Sequence, residues 1–166
     1  MEKYIAQNEN TYSSKEPDGI YYLEPITNLT AEEINLIERL VECEVGDNPL
    51  LQEQGYNLYY ANLAVANVVL NRYRTDYWEF PDTIEGVIFQ EKQFTPVGSK
   101  EWETKIPSDV TKEAVHDALN GKMIVGIDTY WFCTLDCSAR EWFEKNLELY
   151  GEVGPHVFYR LPDEIS

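Results

Sequence analysis

Hydrophobic side chains between residues 31 and 44 recur at intervals of three and four positions, the spacing of one face of an α-helix. Thr30 followed by Glu33 has the form of a capping box, which marks a helix N-terminus. Gly46 and Pro49 then interrupt the pattern. The sequence therefore predicts a first helix over 31–44, with a buried face formed by Ile34, Ile37, Leu40 and Val41.

Glu44 is the next member of this apolar series, three residues after Val41 and seven after Ile37. A carboxyl group at such a position is partly removed from water, so its neutral form is favoured and its pKa rises. General acids are produced in this way, although a Glu in the last turn of a helix is more often solvated. Of the neighbouring carboxylates, Glu42 is predicted to point off the stripe and Asp47 to lie in the break.

Four more segments have helical patterns. Residues 60–73 are apolar on nearly every side, which is typical of a core helix. Residues 109–120 follow a Pro-Ser start signal and end at Gly121. Shorter helices are predicted over 83–89 and, as an amphipathic helix, over 139–150.

Two runs near the C-terminus, 130–132 and 156–160, are rich in aromatic and β-branched residues and are predicted to be strands that pair. Residues 20–23 form either one short strand or an arm packed on the domain. Together these patterns predict an α+β fold, rich in helix, with a small antiparallel sheet.

The length of 166 residues fits one domain with a substantial core. We expect 1–28 to be an N-terminal arm or tail and 29–166 to be the domain. The longest apolar stretch, 63–70, is too short to span a bilayer. Residues 1–10 have neither a basic start nor an apolar run, so no signal peptide is expected.

The net charge of −17 argues against nucleic acid and anionic membrane surfaces as partners, because few cations are available to neutralise phosphates. Cys43, Cys133 and Cys137 do not make a disulfide framework, and are either reduced thiols or include one local bridge. A zinc site would need His116 or His156 as further ligands at non-standard spacing, so no metal and no cofactor are expected.

Several short segments occur in a characteristic order along the chain. They are LVECEVG at 40–46, LAVANVVLNR at 63–72, FPDTI at 80–84, VIFQ at 87–90, QFTPV at 93–97, YWF at 130–132 and GPHVFY at 154–159. This ordered set resembles the SleB-type cell wall hydrolase family, the spore-cortex lytic enzymes and their relatives in bacteria and phages. The resemblance covers residues 31–160.

The resemblance implies a lysozyme-like or resuscitation-factor-like domain that cleaves peptidoglycan between N-acetylmuramic acid and N-acetylglucosamine. Better-known members resemble lytic transglycosylases, which release a 1,6-anhydro sugar without consuming water. The family has a catalytic Glu at the end of its first helix, in a stretch similar to E-A-R-G-E, and this Glu matches Glu44. One carboxyl group suffices for such chemistry, because the 6-hydroxyl of the substrate replaces the second carboxylate of ordinary glycosidases.

The segment Gln93-Phe94-Thr95 matches a Q-F-S/T segment of the family, which implies that it lines the glycan groove. Phe94 would stack on a sugar face, while Gln93 and Thr95 would bond its hydroxyl or acetamido groups. The alternative is that Phe94 belongs to the core and Thr95 caps a turn.

Tyr130 and Phe132 match an aromatic pair of the family and His156 matches a His near its C-terminus, so all three are expected to bind substrate or line the cleft. Strand aromatics are more often packing residues, and a His held by a backbone partner beside the core is the simpler interpretation of His156. Arg72 is predicted to anchor the end of its helix, with a buried carboxylate as partner.

Two departures from the family pattern bear on activity. The chain between Glu44 and residue 63 is longer than expected; 48–57 is predicted to be a loop or short irregular helix, and 51–59 to form a wall or lid of the cleft. Residues 45–48 replace the usual A-R-G-E stretch, which alters glycan contacts. The acidity of the chain is also a poor match to an anionic wall polymer.

Two other functions remain open. One is a true muramidase, with water as nucleophile and Asp47 or Glu42 as the partner of Glu44. The other is a non-catalytic glycan-binding or interaction domain on the same fold. The expected partner is a peptidoglycan glycan strand of a cell wall or spore cortex. The protein is expected to act on it as a monomer, either as a phage lysin or as a spore protein.

Overall fold

The computed structural model describes residues 19–77, 79–90, 94, 97 and 99–162. Seven helices and five strands occur within these residues. In chain order they are β1 (Tyr21–Tyr22), α1 (Ala31–Glu44), α2 (Pro49–Glu53), α3 (Leu58–Arg74), α4 (Ile84–Phe89), α5 (Lys100–Thr104), α6 (Asp109–Leu119), β2 (Lys122–Met123), β3 (Thr129–Thr134), α7 (Arg140–Asn146), β4 (Glu148–Val153) and β5 (His156–Arg160). The predicted α+β class is confirmed.

Helix α1 has the predicted bounds, and its start is the predicted capping box. The Thr30 hydroxyl accepts from the Glu33 amide at 3.1 Å, and the Glu33 carboxylate accepts from the Thr30 amide at 2.8 Å. These bonds satisfy two of the amides that a helix N-terminus leaves without partners. The apolar stripe then packs the helix against α3 and α6.

Helix α3 lies in the centre of the helical layer, and its side chains are buried from Tyr60 to Arg72. Two buried asparagines join it to the segment that leads into the sheet. Asn67 accepts from the Ile124 amide at 2.7 Å and donates to the Lys122 carbonyl at 3.0 Å. Asn71 donates to the carbonyls of Gly126 and Thr129, both at 2.9 Å. The side-chain amides of a core helix thus provide hydrogen-bond partners for buried backbone groups of that segment.

The larger sheet is antiparallel with strand order β3-β5-β4. The predicted pairing of 130–132 with 156–160 is confirmed, with Phe132 opposite Phe158. One face of the sheet packs on the helices through Phe158 and Val153. The other face carries a separate aromatic cluster under α7, formed by Phe80, Tyr130, Trp131, Val157, Tyr159 and Leu161.

The predicted helix over 139–150 is wrong in its second half. Helix α7 ends at Asn146, and Glu148–Val153 forms β4, which pairs with β5. Gly154, at φ +60, makes the two-residue connection between the strands possible. Pairing with a neighbouring strand decided the state of a segment that has no strong preference of its own.

The N-terminal arm is attached to the domain in its described part. β1 pairs with β2, and the amides of Leu23 and Ile26 donate to the carbonyls of Gly121 and Leu119, both at 2.8 Å. Residues 1–18 lie outside the described residues, so the domain boundary at 28/29 stays a prediction. Within the described part of the chain, no helix is both long and apolar enough to cross a bilayer.

Candidate active site

Glu44 is the last residue of α1, and its side chain is only 16% exposed. Burial raises the pKa of its carboxyl group from 4.5 to about 7, and the negative charge of Glu101 on α5 adds to this rise. The predicted increase in pKa is therefore confirmed. At neutral pH a large fraction of Glu44 holds a proton, as a general acid requires.

His156, the first residue of β5, faces Glu44. Its Nε2 lies 3.7 Å from Glu44 Oε1, which is contact but longer than a hydrogen bond. Burial, with the side chain 3% exposed, lowers the pKa of the imidazole from 6.5 to about 4. His156 is therefore neutral at pH 7 and adds no positive charge that would lower the Glu44 pKa.

The interpretation of His156 as a residue held by a backbone partner is wrong. Among the described residues, nothing hydrogen bonds to its Nδ1. The ring is held by packing, edge-on to Phe132 with centroids 4.9 Å apart and near Phe158 at 6.2 Å. The His156 side chain is 3% exposed, and its role in binding substrate stays a prediction.

Glu42 leaves the apolar stripe but is not a solvated carboxylate. It accepts hydrogen bonds from the Ser108 amide at 2.9 Å and the Ser108 hydroxyl at 2.8 Å, at the start of α6. Burial alone would raise the pKa of Glu42, but these bonds and one from Thr111 outweigh it and hold the pKa below its ordinary value. Glu42 is thus an anionic anchor for α6, while Asp47 is exposed in the turn.

The predicted sugar-binding residues are only partly brought together. Phe94 is 6% exposed and belongs to the main core, in agreement with the alternative of a packing residue. Its ring contacts Phe132 at 6.2 Å, so a chain of aromatic contacts runs from Phe94 through Phe132 to His156. Gln93 and Thr95 lie outside the described residues.

Tyr130 is separated from Phe132, although they are two residues apart on β3. Its ring is nearly parallel to that of Tyr77 with centroids 6.3 Å apart, and its hydroxyl donates to Thr75 Oγ1 at 3.1 Å. The register of β3 shifts between Thr129 and Trp131, so the simple alternation of faces is broken there. Tyr130 therefore belongs to the second aromatic cluster.

Arg72 has a different partner from the one predicted. Its Nε donates to the Tyr130 carbonyl at 2.8 Å, and its guanidinium lies over the rings of Phe80 at 4.9 Å and Phe94 at 4.8 Å. Burial lowers its pKa to about 9, which the charge of Glu79 partly opposes. No carboxylate of the described residues is in ion-pair contact with it, so cation–π contacts replace the expected salt bridge.

Sequence reasoning missed α5, which carries Glu101. Ser99 caps this helix, and Trp102, 5% exposed, anchors it to α1 under the guanidinium of Arg39 at 5.1 Å. Glu101 is exposed and forms an ion pair with Lys105 at 2.9 Å. Ser99 is of a type that favours N-caps, but the helix is too short for a periodic pattern.

Two cavities lined by described residues lie elsewhere. One of about 540 Å³ lies along the outer face of α1, next to Arg39 and Glu85, and one of about 190 Å³ lies beside Arg74 and Tyr130. Neither lining includes Glu44 or His156. No cluster of three or more metal-ligating side chains is found within the described ranges.

Comparison with known proteins agrees with this fold. Residues 57–159 match the family model described as cell wall hydrolase. A spore cortex-lytic enzyme of Halalkalibacterium halodurans is 31% identical over 82% of this chain and 38% of its own length. One of Oceanobacillus iheyensis is 36% identical over 60% of this chain and 34% of its own length. The chain thus spans well under half the length of these curated relatives.

Two solved structures are similar over 81% of this chain. The catalytic domain of the germination-specific lytic transglycosylase SleB from Bacillus anthracis is 27% identical, with a TM-score of 0.66 and 98% of its chain covered. The catalytic domain of SleB from Bacillus cereus is 28% identical, with a TM-score of 0.64 and 95% covered. Since the family model matches more than half of the sequence, this chain belongs to the cell wall hydrolase family.

Proposed function

We propose that this protein degrades peptidoglycan as a lytic transglycosylase, cleaving the bond between N-acetylmuramic acid and N-acetylglucosamine. The observation that carries the proposal is Glu44, a buried carboxyl group with a pKa raised to about 7. Similarity to a domain described as a lytic transglycosylase supports the reaction type. The substrate is a glycan strand of cell wall or spore cortex, bound by a monomer.

In this mechanism Glu44 acts first as an acid and then as a base. The neutral carboxyl group donates its proton to the glycosidic oxygen as the C1–O bond breaks. The 6-hydroxyl of the muramic acid then bonds to C1 and gives its proton to the Glu44 carboxylate, which restores the starting state. The product carries a 1,6-anhydro ring, and the internal hydroxyl provides the high effective molarity of an intramolecular reaction.

The surroundings of Glu44 support a reaction with one carboxyl group. Glu42 is bonded to Ser108 and keeps its negative charge, so it is not free to act on substrate. His156 is neutral and buried beside Glu44, so it adds no positive charge that would favour the carboxylate. Phe132, which is half-buried and contacts His156, is the aromatic side chain that we expect to stack on a sugar face.

The test is mass spectrometry of muropeptides released from purified vegetative peptidoglycan and spore cortex. We expect anhydro-muramyl products from the parent and none from Glu44→Gln. Glu113→Gln, which changes an exposed glutamate on α6, is the matched control and should release the parent products. No release from either substrate by a folded parent would argue for a glycan-binding domain instead.

One observation favours a hydrolytic muramidase as the second candidate. The negative charge of Glu101 on α5 adds to the rise in the Glu44 pKa, which makes Glu101 the candidate for a second carboxylate. If it activated water, products would end in reducing muramic acid, one water heavier than the anhydro form. Glu101→Gln would then abolish release, whereas the transglycosylase needs only Glu44.

A further inference from the structure

We propose that Asn62 is a positioning residue, whose buried amide clamps the turn after α1 and thereby fixes the direction of the Glu44 carboxyl group. The inference rests on the proposed function of Glu44. Asn62 lies in the first half of α3, far from Glu44 in sequence, and is fully buried. Its hydrogen bonds reach the chain two residues beyond Glu44.

The contact is a reciprocal pair between two amides. The Gly46 amide donates to Asn62 Oδ1 at 3.0 Å, and Asn62 Nδ2 donates to the Gly46 carbonyl at 2.9 Å. Both backbone polar groups of Gly46 are therefore satisfied by one side chain. Asn62 is held in turn by the Leu58 carbonyl at 2.8 Å and the Thr111 hydroxyl at 3.3 Å.

The turn accepts only glycine at position 46. Its φ of +64 lies in the left-handed region, and a Cβ atom there would come within 2.5 Å of Glu42 Oε2. Glu42 is itself bonded to Ser108 at the start of α6. The end of α1 is thus fixed from α3 through Asn62 and from α6 through Glu42.

This double attachment matters because the last turn of a helix tends to fray. Glu44 lies in that turn, and its high pKa depends mainly on staying buried in its place beside His156. Proton transfer to a glycosidic oxygen tolerates little displacement of the acid, since a misplacement of about 1 Å can cost about a hundredfold in rate. Loss of the clamp would hydrate and redirect Glu44 without removing any atom that touches substrate.

Asn67 provides a matched control on the same helix. It is also fully buried, and also bonds one backbone amide and one backbone carbonyl of another segment. Its partners, Ile124 and Lys122, belong to the segment around β2, away from the turn after α1. Asn67→Ala should therefore lose comparable stability without affecting the Glu44 turn.

The experiment compares Asn62→Ala with Asn67→Ala at a temperature where circular dichroism shows both to be folded. We expect Asn62→Ala to lower kcat for anhydro-product release by roughly tenfold to a hundredfold, with a smaller change in KM, and Asn67→Ala to retain the parent kcat. Equal losses in the two variants would overturn the proposal. If Asn62→Ala does not fold, Asn62→Ser replaces it, because the serine side chain ends one bond short of the amide atoms that bond the two groups of Gly46.

A second readout does not depend on activity. The carboxyl carbon of Glu44, assigned by its loss in Glu44→Gln, is titrated by ¹³C NMR in the parent and both variants. The facing titratable groups are His156 on β5 and Glu101 on α5, and Asn62 bonds neither. We expect the Glu44 pKa to fall from about 7 toward 4.5 only in Asn62→Ala.

An unchanged Glu44 titration in Asn62→Ala would overturn the clamp whatever the kinetics. If instead the parent cleaved no peptidoglycan, the proposed function would fail, and the titration alone would decide the clamp. The two failures are therefore distinguishable.

Discussion

Glu44 and His156 are two buried side chains in contact, and burial shifts their pKa values in opposite directions. Each shift favours the neutral form of its group. The carboxyl group is held toward its neutral form by a pKa of about 7, and the imidazole toward its neutral form by a pKa of about 4. The interior therefore excludes charge from both groups and produces a protonated acid beside a neutral base. Such displaced pairs are enriched at catalytic sites.

Glu44→Gln separates the chemistry of this carboxyl group from its effect on folding. Burial raises the Glu44 pKa from 4.5 to about 7, so its stabilising contribution is complete below pH 4.5 and is lost as pH rises through 7. Above that pH the ionised group costs roughly 3 kcal/mol. We expect the variant to lose about 10²- to 10⁴-fold in turnover and to melt at a higher temperature than the parent at about pH 8 but not at about pH 4.

The control for this prediction is the exposed Glu113→Gln, whose melting temperature should follow the parent at both pH values. His156 contributes stability that is lost as pH falls from 6.5 through 4, but both proteins keep His156, so the comparison removes its effect. A lower melting temperature of Glu44→Gln at about pH 8 would contradict the assignment of a buried, high-pKa carboxyl group.

Glu101→Gln tests the electrostatic contribution of α5. Removing the negative charge should lower the Glu44 pKa, so the fall in transglycosylase activity at alkaline pH should begin at a lower pH. Since Glu101 is exposed, the displacement should be roughly half a pH unit at low salt and smaller at high salt. Glu103→Gln, an exposed neighbour on the same helix, is the control and should leave the pH profile in place.

At the scale of elements, one helix and two strands contribute the residues of the site. Glu44 is the last residue of α1, His156 is the first residue of β5, and Phe132 on β3 lies beside His156. Regular hydrogen bonding fixes the backbone within each element, and the end of α1 is also held by Asn62 through Gly46. The sequence predicts that the segment between α1 and α3 is longer than in the family pattern.

Helix α2 is the part of that segment whose replacement should alter specificity. It has no fully buried residue, and Leu50 is 65% exposed, while Leu51 packs partly against the core. Replacing 49–53 by a Gly/Ser stretch of equal length that keeps Leu51 should change Tm by less than about 4 °C while changing the ratio of cortex to vegetative wall cleaved. The replacement must stop before Asn57, which caps α3, and Tyr59, which donates to Asp117.

Muropeptide yields from the two substrates measure that ratio, and thermal melting measures the stability. Proportional losses of activity on both substrates together with a large fall in Tm would mean that α2 has a structural role. An exposed substitution on α7, such as Lys145→Ala, controls for a general effect of surface changes.

Across the whole molecule, a helical layer and a small sheet share one continuous core, while a second aromatic cluster lies on the far side of the sheet. Arg72 connects the two, since its guanidinium touches Phe94 in the first and Phe80 in the second. The net charge of −17 disfavours approach to an anionic polymer.

Local patterns were sufficient for the helices that bury a periodic apolar face. The bounds of α1 and the cores of α3 and α6 followed from spacing and caps, and Glu44 was identified because it continues the stripe of α1. These features depend on residues within a few positions of one another, where backbone geometry sets which side chains share a face. The ordered motifs then indicated the family from the same residues.

Features that join distant parts of the chain were decided by tertiary structure. The second half of 139–150 forms β4 because it pairs with β5. Tyr130 lies in a different cluster from Phe132 because the register of β3 shifts. Arg72 packs against two aromatic rings in place of a carboxylate, and Asn62 bonds Gly46, from which it is separated by α2. The pairing of donors with acceptors and the burial of a carboxyl group depend on neighbours that are distant in sequence. Sequence spacing alone does not determine them.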